Sequence, residues 1–159
     1  MRITEKDKEY MREAIRLADE SVKNGGGPFG AVIVKDGEIV AGSANSVTID
    51  NDPTAHAEVN TIRQACKKLG TFDLSDCVIY TSCEPCPMCL GAIYWARIKK
   101  VFYGNTKKDA ADINFADDFI YKELETSYEH RTVPLIPLLR NEAIKTFRAW
   151  EEKQDKIEY

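Results

Sequence analysis

Two short segments of this sequence carry side chains that suit metal chemistry. In the first, His56 precedes Glu58 by two residues; in the second, Cys86 follows Pro85 directly and precedes Cys89 by three residues. Cysteines at this spacing at the start of a helix point the same way, and the positive end of the helix dipole favours their thiolate forms. Thiolate sulfur and imidazole nitrogen are typical zinc ligands. The sequence therefore predicts a zinc site formed by His56, Cys86 and Cys89.

The number of available ligands favours a catalytic zinc site over a structural one. Structural sites are usually closed by four protein ligands, whereas catalytic sites keep three and leave the fourth position to water. The chain has two histidines, and the second, His130, lies in a polar stretch. Zinc lowers the pKa of a coordinated water to about 7, and a neighbouring carboxylate can accept and deliver protons. We therefore expect Glu58 to carry protons in a hydrolytic reaction.

The cysteines also allow other interpretations. A C-x-x-C pair by itself is as typical of a redox pair or of half a structural zinc knuckle as it is of a catalytic site. The upstream His-x-Glu favours catalysis, because H-x-E followed by P-C-x-x-C is the signature of zinc nucleobase deaminases. Cys83 lies close to the pair, but no proline precedes it, and we expect it beside the metal rather than bound to it. Cys66 and Cys77 fit apolar core positions.

Composition restricts the possible partners and location. The 159 residues, 43% of them hydrophobic, suit one enzyme-sized domain over residues 1–159. The net charge of −4 disfavours a nucleic-acid partner, since proteins that neutralise phosphates are normally basic. No stretch has the length and hydrophobicity of a signal peptide or a membrane span. Five cysteines, an odd number, suit thiolate metal binding in a reducing compartment, so we expect a cytoplasmic protein.

Hydrophobic periodicity predicts alternating helices and strands. A first helix runs from about Thr4 to Val22, and Asp36-Gly37 predicts an antiparallel hairpin between β-rich runs at 30–34 and 38–42. The next predicted elements are a helix over 54–69, a strand over 77–81, a helix over 86–96 and a strand over 100–103. This alternation predicts an α/β fold whose helices pack on a mixed central sheet. Beyond Gly104 the pattern predicts a helix over 115–124, an extended segment over 132–139 and a last helix over 141–153.

Residues 52–58 and 80–97 resemble the cytidine deaminase-like superfamily of zinc deaminases. Within it, the sequence is similar to the small bacterial guanine deaminases through almost all of its length, including residues 119–123 and the final Glu158-Tyr159. The resemblance implies a three-layer αβα sandwich, a Zn²⁺ cofactor and hydrolysis of guanine to xanthine and ammonia. It also implies a homodimer that exchanges C-terminal segments, about residues 132–159 here, between subunits.

The same resemblance implies roles for residues around a substrate. It makes Asn45 a hydrogen-bonding partner of the purine and Phe29 a residue that packs on its ring. It makes Asp117 an acid that reads the purine edge and assists proton transfer, and it has Tyr159 cap the pocket. Asp118 is the alternative to Asp117, because the sequence departs from the family pattern at the position before them. From the residues alone, Asp117 is an ordinary helix-start acid.

The zinc signature specifies the chemistry rather than the substrate, so three alternatives to guanine deamination are considered. A tRNA adenosine deaminase is the second interpretation, but it would need a basic face for an anticodon loop. A cytosine-type deaminase is the third. A non-catalytic zinc-binding regulator is the alternative from another class, and the intact Glu58 argues against it, because a purely structural site has little use for that carboxylate.

Overall fold

The computed structural model describes residues 2–159, which divide into two compact units. The first unit ends at Asp117 and the second runs from Asp118 to Tyr159. The first unit contains, in chain order, α1 (Glu5–Lys23), β1 (Gly30–Lys35), β2 (Glu38–Ala44), α2 (Val47–Asp50), α3 (Ala57–Leu69), β3 (Cys77–Cys83), α4 (Pro87–Trp95), β4 (Val101–Asn105) and α5 (Lys107–Asp112). Among residues 2–159, no helix combines the length and hydrophobicity that a membrane crossing requires.

The four strands form one mixed sheet in the order β2-β1-β3-β4, which confirms the predicted α/β fold. Strand β1 is antiparallel to both β2 and β3, whereas β3 and β4 are parallel and are joined through α4. The predicted hairpin turn is present, with positive φ angles of 49° at Asp36 and 78° at Gly37. Two successive residues with positive φ match the twist of a hairpin, and Asp-Gly tolerates them.

Helices cover both faces of this sheet because successive strand residues point to opposite sides. Val32 and Val34 of β1 pack with Tyr10 of α1 on one face. Ile33, between them in sequence, packs on the other face with residues of α3 and α4. The first unit therefore has three layers, α1 on one side and α3 with α4 on the other, and the zinc-motif residues belong to the second of these helical layers.

The first helix is fixed at its start by its own side chains and by the sheet. Thr4 and Asp7 form a reciprocal capping box, as the sequence predicts. The Tyr80 hydroxyl on β3 donates a hydrogen bond to Asp7 at 2.5 Å. These bonds lower the pKa of Asp7, the Thr4 hydroxyl most of all. The pKa of Tyr80 is raised, first by burial and then by the bond to Asp7.

Two predicted helices begin later than expected. Helix α3 begins at Ala57 rather than near Thr54, because the Asp52 side chain accepts from the backbone N–H and hydroxyl of Thr54 and holds that residue in a turn. In the second unit, α6 (Asp118–Glu125) begins three residues later than predicted. Asn114, with φ of 71°, and the bond from the Phe115 N–H to the Ala110 carbonyl belong instead to the end of α5.

The second unit consists of α6, a 3-10 helix over Tyr128–His130 and α7 (Arg140–Glu152). Residues 132–139 form neither helix nor strand, and Leu139 at the end of the predicted extended segment has instead a left-handed backbone with φ of 53° as the N-cap of α7. No residue of this unit is buried. Large apolar side chains are exposed along its whole length: Phe119, Leu124, Tyr128, Val133, Leu135, Ile136, Leu138, Leu139, Phe147, Trp150, Ile157 and Tyr159.

Candidate metal centre and active site

The predicted metal ligands lie at the first residues of two helices. His56 is the N-cap of α3, with an extended backbone (φ −70°, ψ 155°), and Cys86 is the N-cap of α4, with a similar one (φ −68°, ψ 169°). Cys89 lies in the first turn of α4, and its backbone N–H donates to the Cys86 sulfur at 3.5 Å. Both helix N-termini therefore point their positive dipole ends at the cluster, which favours thiolates there.

The three side chains have the separations of a zinc-binding group. Their ligand atoms all lie within 4.8 Å of one another, and the His56 Nδ1 is 3.5 Å from each sulfur. Tetrahedral zinc with ordinary Zn–N and Zn–S bond lengths requires nitrogen and sulfur ligands to be about 3.5 Å apart. The residues present therefore fit a zinc ion held by His56, Cys86 and Cys89.

The electrostatics of the cluster also suit a cation. Hydrogen bonding with Cys89, followed by that with His56, lowers the pKa of Cys86 to about 4. The same bond to Cys86 raises the pKa of Cys89, and the bond with Cys86 raises the pKa of His56. The directions of these shifts favour a thiolate at Cys86 and the protonated forms of Cys89 and His56. A bound zinc would displace those protons, as metal binding to thiol and imidazole ligands requires.

Glu58 is buried beside these ligands, with 5% of its surface exposed. Its Oε1 accepts a hydrogen bond from the Thr81 hydroxyl at 2.8 Å, and its Oε2 lies 3.2 Å from the Cys89 sulfur, whose thiol donates to it. An ideal helix would turn residues two apart by about 200°. This rotation does not apply to His56, because it is the N-cap and precedes the helix. The Glu58 carboxylate and the His56 imidazole therefore both lie next to the Cys89 sulfur.

Comparisons with known proteins agree with this geometry. Residues 4–105 match the family model described as the cytidine and deoxycytidylate deaminase zinc-binding region. The chain belongs to this deaminase family. It is 56% identical over 151 residues to the guanine deaminase of Bacillus subtilis, covering 94% of this chain and 97% of that protein. It is 44% identical over 98 residues to a tRNA-specific adenosine deaminase of Bacillus subtilis, covering 62% of this chain and 61% of that protein.

Solved structures of deaminases give the same result. The X-ray structure of guanine deaminase from Bacillus subtilis superposes with a TM-score of 0.93 and covers 96% of this chain and 98% of that chain. A guanine deaminase from Nitrosomonas europaea superposes with a TM-score of 0.66 at 30% identity, covering 68% of this chain and 63% of that chain. These structures confirm the cytidine deaminase-like fold.

Cys83 of the deaminase lies near the cluster in sequence but is not one of the three candidate ligands. Its thiol is buried and points at the Thr106 carbonyl oxygen, 3.8 Å away. Burial raises the pKa of Cys83 to about 11, so it is held as a neutral thiol rather than as the thiolate that zinc binds. Among residues 2–159, the group of potential ligands around His56 does not include it.

Two of the residues expected to contact a substrate are neighbours in the structure. The backbone N–H of Asn45 donates to the carbonyl oxygen of Phe29 at 3.0 Å, so the two side chains are carried by adjoining segments. The Asn45 Oδ1 accepts from the Val47 N–H at 3.1 Å. The Phe29 ring makes an edge contact with Phe115 at 5.1 Å between centroids. Both side chains are half-buried and therefore accessible to a ligand.

The two candidate acids differ in their surroundings. Asp117 is half-buried, and burial raises its pKa, with a further contribution from the nearby Cys86. Asp118 is exposed and forms an ion pair with Lys122 one turn further along α6, at 3.3 Å. Of the two acids, Asp117 is therefore the one whose pKa is affected by a residue of the metal cluster. Tyr159 belongs to the second unit, where its side chain is 75% exposed.

Sequence reasoning missed two polar side chains that support the site, the buried Thr81 and the half-buried Asn60. Thr81 lies in the apolar strand β3 and contacts the Glu58 carboxylate. Asn60 on α3 donates from Nδ2 to the Ala44 carbonyl and to the Ser46 hydroxyl, both at 3.0 Å, and so holds the residues on either side of Asn45. The sequence does contain a signal for Asn60, because this residue lies one helical turn after His56. The pattern of strand β3 contains no signal that singles out Thr81.

Proposed function

We propose that the protein is a zinc-dependent guanine deaminase that converts guanine and water into xanthine and ammonia. The single observation that carries this proposal is the 56% identity to a guanine deaminase over 94% of the chain. An alignment of that length includes most of the second unit, whereas the similarity to the tRNA-specific enzyme covers 62% of the chain. The metal cluster with its buried carboxylate supplies the chemistry that the proposal needs.

In this proposal His56, Cys86 and Cys89 would hold the zinc, and a set of three protein ligands is typical of a catalytic site, whereas structural sites usually have four. When bound, the zinc supplies a water activated for attack at neutral pH. With its Oε2 beside the cluster, Glu58 would take up the proton that the attacking water gives up and would deliver protons to the purine N3 and to the departing amine. Burial of Glu58 keeps bulk water from competing for those protons.

The residues that would recognise the purine differ in their hydrogen-bonding capacity. The Oδ1 of Asn45 is already used by the Val47 N–H, which leaves its Nδ2 as a donor for an acceptor on the purine edge. The carboxylate of Asp117 is an acceptor for ring or amino N–H groups and, with its raised pKa, can also hold a proton. Phe29 offers a ring face for stacking. An aminopurine with acceptors and donors on opposite edges matches this set.

The second unit supports a homodimer with exchanged C-terminal segments. None of its residues is buried, and side chains such as Ile136, Leu138 and Phe147 are more than 70% exposed. Helices that leave so much apolar surface in water need another surface to cover it. We propose that a second copy provides that surface and that Tyr159 caps the partner's pocket.

The cysteines support a cytoplasmic location for the protein. All five are free thiols, which agrees with a reducing compartment.

Ammonia release from a panel of substrates tests the substrate. The zinc-loaded protein is given guanine, adenine, cytosine, cytidine and a tRNA anticodon stem-loop, with Glu58→Gln as the inactive control. We expect ammonia from guanine at a rate well above that from the other four. Deamination of the stem-loop without deamination of guanine would replace the proposal with the tRNA-specific activity of the second relative.

A complementation experiment tests the exchange of segments. A Glu58→Gln chain and a chain lacking Tyr159 are co-expressed with different tags, and the hybrid dimer is purified. If segments are exchanged, one site of the hybrid combines an intact Glu58 with a donated Tyr159 and regains turnover. If they are not exchanged, the hybrid is no more active than the average of its parents.

A further inference from the structure

Thr81 is held rigidly at the centre of the sheet. Its backbone pairs with Ala31 of β1 on one side and with Tyr103 of β4 on the other, and 1% of its surface is exposed. The side chains before and after it point to the opposite face, where the Ser82 hydroxyl accepts from the Gly30 N–H. Strand register therefore fixes the direction of the Thr81 hydroxyl towards α3.

That hydroxyl lies between two acceptors. It is 2.8 Å from the Oε1 of Glu58 and 3.1 Å from the carbonyl oxygen of Cys83. A hydroxyl has one proton to donate, and an ionised carboxylate is a stronger acceptor than a neutral carbonyl. The shorter distance agrees with donation to Glu58. One oxygen of that carboxylate is thereby occupied, and the other remains beside Cys89 at 3.2 Å.

A glutamate used for proton transfer needs such a fixed point. The terminal torsion of a glutamate side chain has broad minima, so the backbone of α3 alone does not orient the carboxylate. We propose that Thr81 is a positioning residue that holds Oε1 of Glu58, so that Oε2 faces the metal cluster and carries the protons. The proposal rests on the proposed deaminase function, in which Glu58 is the proton carrier, and it adds the residue that aims it.

Three variants separate this role from ordinary packing. Thr81→Val keeps the size and strand preference of the side chain but removes the hydroxyl, and Thr81→Ser restores a hydroxyl. Thr61→Val is the matched control: Thr61 is fully buried, and its hydroxyl donates to the Ala57 carbonyl at 2.6 Å rather than to the catalytic carboxylate. Zinc content and thermal unfolding are measured for each variant in its zinc-loaded form.

The kinetic result expected is a loss of kcat with little change in KM. A misplacement of about 1 Å costs on the order of 100-fold in rate, so we expect kcat of Thr81→Val to fall by about 10-fold to 100-fold, with KM within about threefold. Thr81→Ser should recover kcat to within about threefold, and Thr61→Val should retain it. Zinc should stay near one per chain in all three. A Thr81→Val enzyme with unchanged kcat, or one that has lost its zinc, overturns the proposal, as does a serine variant no better than the valine variant.

Infrared spectroscopy provides a readout that needs no substrate. The carboxylate band of Glu58 is the one lost in Glu58→Gln, and it should shift in Thr81→Val and return in Thr81→Ser. A band that does not shift overturns the positioning role, whatever the substrate is. If the parent protein releases no ammonia from guanine while the band does shift, the proposed function fails and the Thr81–Glu58 interaction stands.

Discussion

Replacing Glu58 by glutamine should abolish turnover while leaving the metal in place. The Thr81 hydroxyl donates to Oε1, so the amide oxygen of the glutamine takes that position and the amide nitrogen takes the place of Oε2, 3.2 Å from the Cys89 sulfur. An N–H donor beside a zinc-bound thiolate is a favourable hydrogen bond. The shape of the site and its three ligands are therefore kept, and only the ability to carry protons is lost.

The expected loss is near the top of the range for general acid–base catalysis. Such groups contribute about 10²-fold to 10⁴-fold, and Glu58 is proposed to handle protons at the water, the ring and the leaving amine. We expect kcat/KM to fall by about 10⁴, or roughly 5.4 kcal/mol of transition-state stabilisation. Ammonia release and zinc content are measured on the same preparation, and Glu58→Asp, whose shorter carboxylate can still carry protons, should retain more activity. A glutamine variant that binds zinc and works within tenfold of the parent would refute the assignment.

Three further predictions concern the metal, the substrate and stability. Cys89→Ser should lose zinc by elemental analysis and Cys83→Ser should keep it, because the Cys83 thiol is outside the ligand group and contacts the Thr106 carbonyl instead; the reverse pattern would reassign the site. Asp117→Asn should lower guanine turnover far more than Asp118→Asn at equal zinc content, and the opposite order would show that the exposed acid is the functional one. Hydrogen bonds from a serine hydroxyl and backbone N–H lower the pKa of Asp73 to about 2. A lowered carboxyl pKa stabilises the fold above about pH 4, and this contribution is lost as the pH falls towards 2. The difference in urea midpoint between the parent and Asp73→Asn should therefore be largest at pH 7 and much smaller at pH 2, where the carboxyl in the folded state is partly protonated; an equal difference at both values would contradict this reasoning.

The sheet and its helices were predictable because their signals are local. The Asp36-Gly37 turn, the unbroken apolar run of β3 and the periodic spacing in α1 each determine one element without reference to the rest of the chain. The short helices α2 and α5 were not predicted. They span four and six residues, which is too few to show a helical period, and α5 begins at a capping box formed by Thr106 and Asp109.

The candidate site was predictable where chemistry restricts the residue type and less so where geometry does. Imidazole and paired thiols at set spacing indicate zinc from sequence, and the structure brings those side chains together. The hydrogen bond from Thr81 to Glu58 depends on which residue of β3 lies opposite Glu58 of α3. That placement is set by the packing of two segments more than twenty residues apart in sequence, so no local pattern reveals it. A threonine in a buried strand is also an ordinary β-former, so its type carried no signal.

The spacing of the motif follows from where the helices begin. Metal ligands on a continuous helix recur at i and i+4, one turn apart, because only that spacing brings them to one face. Here His56 and Glu58 are two apart, and a helix containing both would turn them to opposite sides. His56 instead occupies the N-cap in an extended conformation, and Glu58 lies in the first turn with its carboxylate beside the cluster. Cys86 and Cys89 repeat the arrangement at α4, as N-cap and first-turn residue. A change that extended α3 towards its N-terminus, so that the helix included His56, would therefore separate the ligand from the proton carrier even if both residues were retained.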